Sequence, residues 1–343
     1  MSTESTNVPG RDVADGWLRR SVGLRGALGW RQVAGGLSNI TYVVTDSRGR
    51  QVVLRRPPHG KLTGGAHDVL REAHILSALR PTAVPVPAVL AVCPEPDVAG
   101  APFYVMAHAA GAVVESAATA RRFTPPQRRQ LGLQLVDVLA GLQAVDLDAA
   151  GLAGMRRKTP YLERQIRRWN AQWKATAVRA VPAIDHVSRR LADVLPQLEP
   201  RPDCLVHGDF RLGNVMVTGG PQPQISALLD WELATIGHPL ADMGFLGARM
   251  QAPAGVLEPG PDPSAVEGFP AYDDLARHFR LRTGIAATDL PVFLALSAWR
   301  WAIIAEGIQL RFARGEMGEV HGDVAWHRRR VELLAGFAAD VLG

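Results

Sequence analysis

The amino-acid sequence predicts an α+β protein of two lobes, a small, mostly antiparallel sheet followed by a larger, mainly helical part. Three observations point there. Runs of β-branched and apolar residues broken by glycine turns fill the stretch from Trp30 to Met106, helical periodicity takes over after Gly111, and short apolar runs return between Leu205 and Leu229. With 343 residues the chain is long enough for two domains, or for one two-lobed unit around a large core. The division falls at about Met106, giving residues 1–106 and 107–343.

The first ten residues are polar, and Val13 to Leu24 reads as a short helix ahead of the sheet. Arg31-Gln32-Val33-Ala34 is strand-like and leads into Gly35-Gly36-Leu37-Ser38-Asn39, then Ile40 to Thr45 forms a β-branched run. Asp46-Ser47-Arg48-Gly49 makes a turn into a third strand, Gln51 to Arg55. Glycines let backbone approach an oxyanion, and Ser38 and Asn39 can add donors, although an ordinary hairpin turn accounts for the same residues. Asp68 caps a helix that runs to Leu79 and stops at Arg80-Pro81. Strands near Ala88 to Val92 and Phe103 to Met106 complete the sheet.

The rest is chiefly helical. Leu131, Leu135, Val138 and Leu142 mark one apolar stripe, and Leu162, Ile166, Trp169 and Trp173 another. Trp169, Trp173 and the arginines near them are candidates to line an acceptor pocket, against the plainer alternative of a helix packed by tryptophans. Residues 251–274 are rich in Pro and Gly and long for a connection, so they are candidates to shape access. Helices at about Leu290 to Phe312 and Val324 to Leu342 close the lobe; Arg300 and Glu306 interrupt the apolar run of the first, which argues for a buried helix and against a membrane span.

Composition narrows the function classes. With 47% hydrophobic and 21% charged residues this is an ordinary globular chain, and its opening residues lack an apolar signal core. Cys93 and Cys204 match no metal or redox spacing, so a reduced, cytoplasmic setting is expected. The formal charge of +5 comes from scattered arginines, read as solvated faces without a nucleic-acid partner. Only Lys61, Lys158 and Lys174 are lysines.

The densest chemistry lies between Leu205 and Gly244. His207-Gly208-Asp209 follows a short apolar run, Asn214 opens a second, Gly219-Gly220-Pro221 turns the chain, and Ile225 to Leu229 delivers Asp230 at its end. Such a hairpin brings Asn214 and Asp230 together with Asp209 on the adjoining loop. Two carboxylates and a carboxamide are hard oxygen donors of the kind magnesium takes alongside substrate phosphates. An Asp with an Asn five residues later matches the protein-kinase pattern H-R-D-x-x-x-x-N, in which the Asp receives the proton of the attacking hydroxyl. A capped turn is the ordinary explanation of His-Gly-Asp alone. His207 and His238 have no Cys or second His at zinc spacing and read as structural hydrogen-bonders.

At these residues the chain resembles the aminoglycoside phosphotransferase-like small-molecule kinases, whose signature approximates H-G-D-x-x-x-x-N followed by L-D-W-E. Gly237-His238-Pro239-Leu240-Ala241-Asp242 is similar to the version found in phosphotransferase domains associated with acyl-CoA dehydrogenases. The resemblance implies a bilobal protein-kinase-like fold, ATP and Mg2+ as cofactors, Asp209 as catalytic base, Asn214 and Asp230 as magnesium ligands, and His207 and Asp242 as braces of the loop. It implies that Gly36, Ser38 and Asn39 cover the nucleotide phosphates, and that Arg55 stands where kinases carry a lysine, paired with Glu72; Arg56 and Lys61 compete for that place. Trp231-Glu232 replaces the kinase Phe-Gly, so no kinase-type activation switch is implied. The acceptor it implies is a hydroxyl on a small molecule, such as a hydroxyacyl-CoA, with no membrane partner. An antibiotic phosphotransferase, a His/Asp metal-dependent phosphohydrolase built from His207, Asp209, Asp230, His238 and Asp242, and a pseudokinase that binds nucleotide without transfer remain alternatives.

Overall fold

Alternating β-branched residues build the first sheet, and the period of two decides which side chains face the site. In the computed structural model, which describes residues 10–33, 39–58, 68–257, 262–314 and 324–343, strands β1 (Gly29–Gln32), β2 (Ile40–Thr45), β3 (Gln51–Arg56), β4 (Val89–Cys93) and β5 (Phe103–Ala107) form an antiparallel sheet in the order β1-β2-β3-β5-β4. Along β3, Val52, Leu54 and Arg56 are buried on the face covered by helix α1 (Arg11–Val22), whose Leu18 packs with Leu54, Phe103 and Val105. Val53 and Arg55 consequently face the other way, into the cleft. Arg56 is fully buried, with its Nε on the carbonyl of Pro57 at 3.1 Å, which takes it out of the competition with Arg55. Lys61, Gly36 and Ser38 lie outside the described residues.

Helix α2 (Val69–Leu79) starts where Asp68 accepts the backbone N–H of Arg71 at 2.9 Å, and packs Ile75, Leu76 and Leu79 under β4 and β5. A one-turn helix, α3 (Pro96–Ala99), makes a third helix in this lobe and packs on α1.

The second lobe holds α4 (Ala117–Ala120), α5 (Pro125–Gln143), α6 (Tyr161–Thr176), α7 (Pro182–Val194), α8 (Ala241–Gln251), α9 (Tyr272–Thr283), α10 (Leu290–Ala313) and α11 (Val324–Leu342). Two small sheets are set among them: β6 (Ala112–Val113) with β8 (Val215–Val217) and β9 (Ile225–Leu228), and β7 (Cys204–Val206) with β10 (Thr235–Gly237). Helix α10 is apolar nearly all round and meets the length and apolarity of a membrane span, yet 72% of that window is buried against neighbours that include α8 and α11. One continuous apolar core joins Leu76 and Tyr104 of the first lobe to Leu228, Trp231 and the helices of the second. The α+β, two-lobed, kinase-like architecture expected from the sequence is the one observed.

Candidate active site

The hairpin of β8 and β9 is the element that gathers the chemistry. Val215 pairs with Leu228, and the N–H of Leu229 donates to the carbonyl of Asn214 at 2.8 Å, so Asn214 and Asp230 emerge side by side at its open end. Asp230 adopts a left-handed backbone (φ 64°), the one non-glycine residue to do so among those described. Such a conformation costs about 1 kcal/mol or more, so tertiary contacts must hold it. Trp231, almost wholly buried, supplies one anchor through its Nε1–H to the carbonyl of Leu228 at 3.0 Å.

Asp209 sits on the loop after β7. The amide nitrogen of Asn214 donates to its Oδ2 at 2.7 Å and to its backbone carbonyl at 2.8 Å, and Arg211 Nε lies 3.4 Å from Oδ2. Burial pushes the Asp209 carboxyl up, but Arg211 and the Asn214 hydrogen bond outweigh it and hold the group below its ordinary range. No hydrogen bond reaches the Asn214 amide oxygen among the described residues, which leaves it a hard donor beside the cleft.

His207 and Asp242 shape the loop. Both Asp242 oxygens accept backbone N–H groups, from His207 at 2.7 Å and Gly208 at 2.8 Å. Burial nevertheless raises the Asp242 pKa. His207 Nε2 donates to the carbonyl of Leu229 at 2.8 Å while Nδ1 accepts the N–H of Asp209 at 3.3 Å, which fixes the neutral Nε2–H tautomer. Gly208 turns at φ 85°, and a Cβ there would meet the carbonyl of Leu233 at 2.8 Å. His238 stacks on Phe293 at 4.3 Å, and burial lowers its pKa to about 4. Both oxygens of Asp242 and both ring nitrogens of His207 are thus committed to structure, which takes these two residues out of the ligand set of the phosphohydrolase alternative.

From the first lobe, Arg55 reaches across. Its Nε donates to Glu72 at 3.0 Å, and its Nη2 to Asp230 at 2.5 Å, with Glu232 at 3.4 Å. Burial works against the Arg55 charge, but Glu72, Asp230 and Glu232 raise its pKa, so it stays a cation. Glu72 is 2% exposed and would be costly without that partner. Asn39, at the end of the glycine stretch, donates to Glu232 at 3.4 Å. Between the lobes lies a cleft of about 460 Å³ whose walls include Val53, Arg55, Glu72, Met106, Asn214 and Asp230.

The profile of the phosphotransferase enzyme family matches residues 29–275, well over half the chain. The protein belongs to that family. A crystal structure from Ralstonia eutropha assigned as an aminoglycoside phosphotransferase superposes with a TM-score of 0.80 at 29% identity, over 97% of this chain and 98% of that one. The GDP complex of aminoglycoside 2'-phosphotransferase-IIIa shares the fold, with a TM-score of 0.62 at 17% identity over 96% of this chain and 99% of that one. Acyl-CoA dehydrogenase family member 11 of Gallus gallus is 35% identical over 298 residues, which cover 84% of this chain and 38% of that protein. The family member described here thus spans under two fifths of that relative.

Of the site residues expected from the sequence, Arg55, Glu72, Asn214 and Asp230 line the cleft, Asp209 is bonded to Asn214 beside it, Asn39 meets Glu232, and His207 and Asp242 brace the loop; Gly36 and Ser38 lie outside the described residues. Trp169 and Trp173 divide: Trp173 is core, whereas Trp169 flanks the loop through Arg300. Three contributors escaped sequence reasoning. Glu232 links Asn39 and Arg55 to the second lobe, Arg71 ties α2 to the carbonyls of Glu232 and Ala234 at 2.6 Å each, and Arg300 donates to the carbonyl of Gly208 at 3.2 Å. Glu232 stands in the L-D-W-E stretch and Arg300 is a charge inside an apolar helix, which burial permits only with partners; Arg71 carried no such signal.

Proposed function

We propose that the protein transfers the γ-phosphoryl group of ATP to a hydroxyl of a small acyl compound, with a hydroxyacyl-CoA as the acceptor class. One observation carries this: Asn214, whose amide holds the Asp209 carboxylate, lines the same cleft as Asp230, Arg55 and Glu72, and Arg55 is bonded to both Glu72 and Asp230. Asp209, ionised at neutral pH, accepts the acceptor's proton as its oxygen bonds to the γ-phosphorus and the bond to the β-phosphate oxygen breaks, releasing ADP. Asp230 and the Asn214 amide oxygen fit magnesium, which takes few protein oxygens and completes its shell with water and phosphate. The ion would neutralise charge on the phosphates. Arg55, held by Glu72, grips phosphate oxygens where a lysine would act as a point charge.

The acyl-CoA dehydrogenase names of the relatives support the acceptor class, and so does local charge. Arg211 lies beside Asp209, and Arg168 and Arg300 share the Trp169 ring. A polycationic antibiotic would meet repulsion there. The test is ADP release with Mg·ATP and a panel of hydroxyacyl-CoAs, sugars and aminoglycosides, in the natural chain and in Asp209→Ala. Turnover of hydroxyacyl-CoAs that Asp209→Ala abolishes is expected. Turnover of aminoglycosides alone would replace the acceptor, and nucleotide binding without any transfer would favour a pseudokinase.

A further inference from the structure

Arg300 is a charge set within the apolar helix α10, and its head comes out beside Gly208, the residue before Asp209, whose carbonyl takes its Nη2–H at 3.2 Å. The guanidinium lies 5.0 Å from the Phe245 ring and 6.0 Å from the Trp169 ring, and Arg168 covers that same indole at 5.2 Å. Two cations on one aromatic ring repel, so the place favours an electron-rich occupant. The Nε of Arg300 is buried and meets no hydrogen-bond partner among the described residues, an unfavourable state for a charged donor. Beside it is a cavity of about 10 Å³ walled by Tyr161, Asp242, Phe245 and Ser297. That is room for about one oxygen-sized group. Both Asp242 oxygens are committed to backbone N–H groups and Ser297 donates to the carbonyl of Phe293 at 2.9 Å, so among the residues of that wall the Arg300 Nε–H is the buried donor left without a partner.

Resting on the phosphotransfer reading above, we propose that Arg300 selects the acceptor by its acyl group: a carboxylate or thioester carbonyl oxygen enters this cavity against the guanidinium and sets the acceptor's hydroxyl toward Asp209. An acyl oxygen only accepts hydrogen bonds, which suits a group that only donates them. The same chemistry is offered by a free hydroxy acid and by a hydroxyacyl thioester.

The experiment measures kcat/KM with Mg·ATP for hydroxyacyl-CoAs, for the free hydroxy acids, and for the matching diols in which the acyl carbon is reduced. Either acyl form should exceed the diol by on the order of 10–100-fold, the worth of a hydrogen bond to a charged donor. Whichever acyl form leads identifies the source of the oxygen. In Arg300→Gln the preference over the diol should collapse, and Arg300→Lys should keep part of it. Ser297→Val, which fills the cavity and leaves the guanidinium in place, should show the same collapse, and circular dichroism establishes that each variant is folded. Equal losses on acyl and diol acceptors would overturn the proposal, since Arg300 would then act only by bracing Gly208. So would a natural protein that does not prefer acyl compounds. Should no acceptor turn over although Mg·AMP-PNP binds, the phosphotransfer reading fails by itself; equilibrium binding of a hydroxy acid to the AMP-PNP-loaded protein then decides, and equal affinity in the natural protein and Arg300→Gln overturns the acyl site.

Discussion

Asp209 combines two demands that normally conflict, partial burial and ionisation. Its neighbours resolve the conflict: Arg211 and Asn214 hold the carboxyl below its usual range although burial alone would raise it. A depressed pKa means that the basic form is complete well below neutrality, so activity that depends on it should be flat through neutral pH and fall only as pH drops through the lowered value. Removing the Arg211 charge takes away the larger of the two opposing influences. In Arg211→Ala the acidic limb of the kcat profile should therefore move to higher pH, and an unmoved limb would assign that limb to another group. Asp209→Asn keeps the Asn214 contact region but removes the base; a fall in kcat of about 10²–10⁴-fold with little change in nucleotide affinity is expected from steady-state kinetics and nucleotide titration.

Helices α8 and α10 approach so closely that glycine is required between them. A Cβ on Gly244 would stand 2.4 Å from Phe293 Cβ and 2.6 Å from the Phe293 carbonyl carbon, part of it rigid backbone. Gly244→Ala should cost about 1–3 kcal/mol in urea unfolding, through overpacking. Because α8 carries Asp242, the same variant should loosen the loop of Asp209 and reduce kcat. Gly336, within α11, has nothing within 4 Å of an added Cβ. Gly336→Ala should instead stabilise by about 0.5–1 kcal/mol, the ordinary helix propensity gain. If both substitutions acted alike, the helix packing described here would be mistaken.

Across the molecule the two lobes are joined by charge as well as by the shared core. Arg55 bridges Glu72 of α2 to Asp230 and Glu232, Asn39 meets Glu232, and Arg71 clasps the carbonyls beyond. A ligand bound between the lobes should raise the unfolding midpoint of the whole. At one hundred times its dissociation constant, Mg·AMP-PNP should add about 2.7 kcal/mol, a few degrees by differential scanning fluorimetry. Asp230→Ala should remove that magnesium-dependent rise, and a full rise in the variant would displace Asp230 from the metal. Arg55→Ala strands a nearly buried Glu72 and should lower the midpoint even without nucleotide, by an amount near the ~3–5 kcal/mol cost of breaking a buried pair.

Sequence by itself determined the local order: β-branched alternation marked β2 as Ile40–Thr45 and β3 as Gln51 to Arg55, one residue short of its observed end, Asp68 marked the start of α2, and the spacing from His207 to Asn214 with Asp230 beyond a turn placed three oxygen donors at one hairpin and its adjoining loop. These follow from interactions between near neighbours in the chain, which leave a pattern in it. Only the tertiary structure decided that Arg55 faces the cleft while Arg56 is buried behind it, that Glu232 and Arg71 stitch the lobes, and that Arg300 reaches Gly208 from 92 residues away. Such contacts depend on how elements pack, and packing between distant segments fixes side-chain partners without imposing any spacing on the sequence.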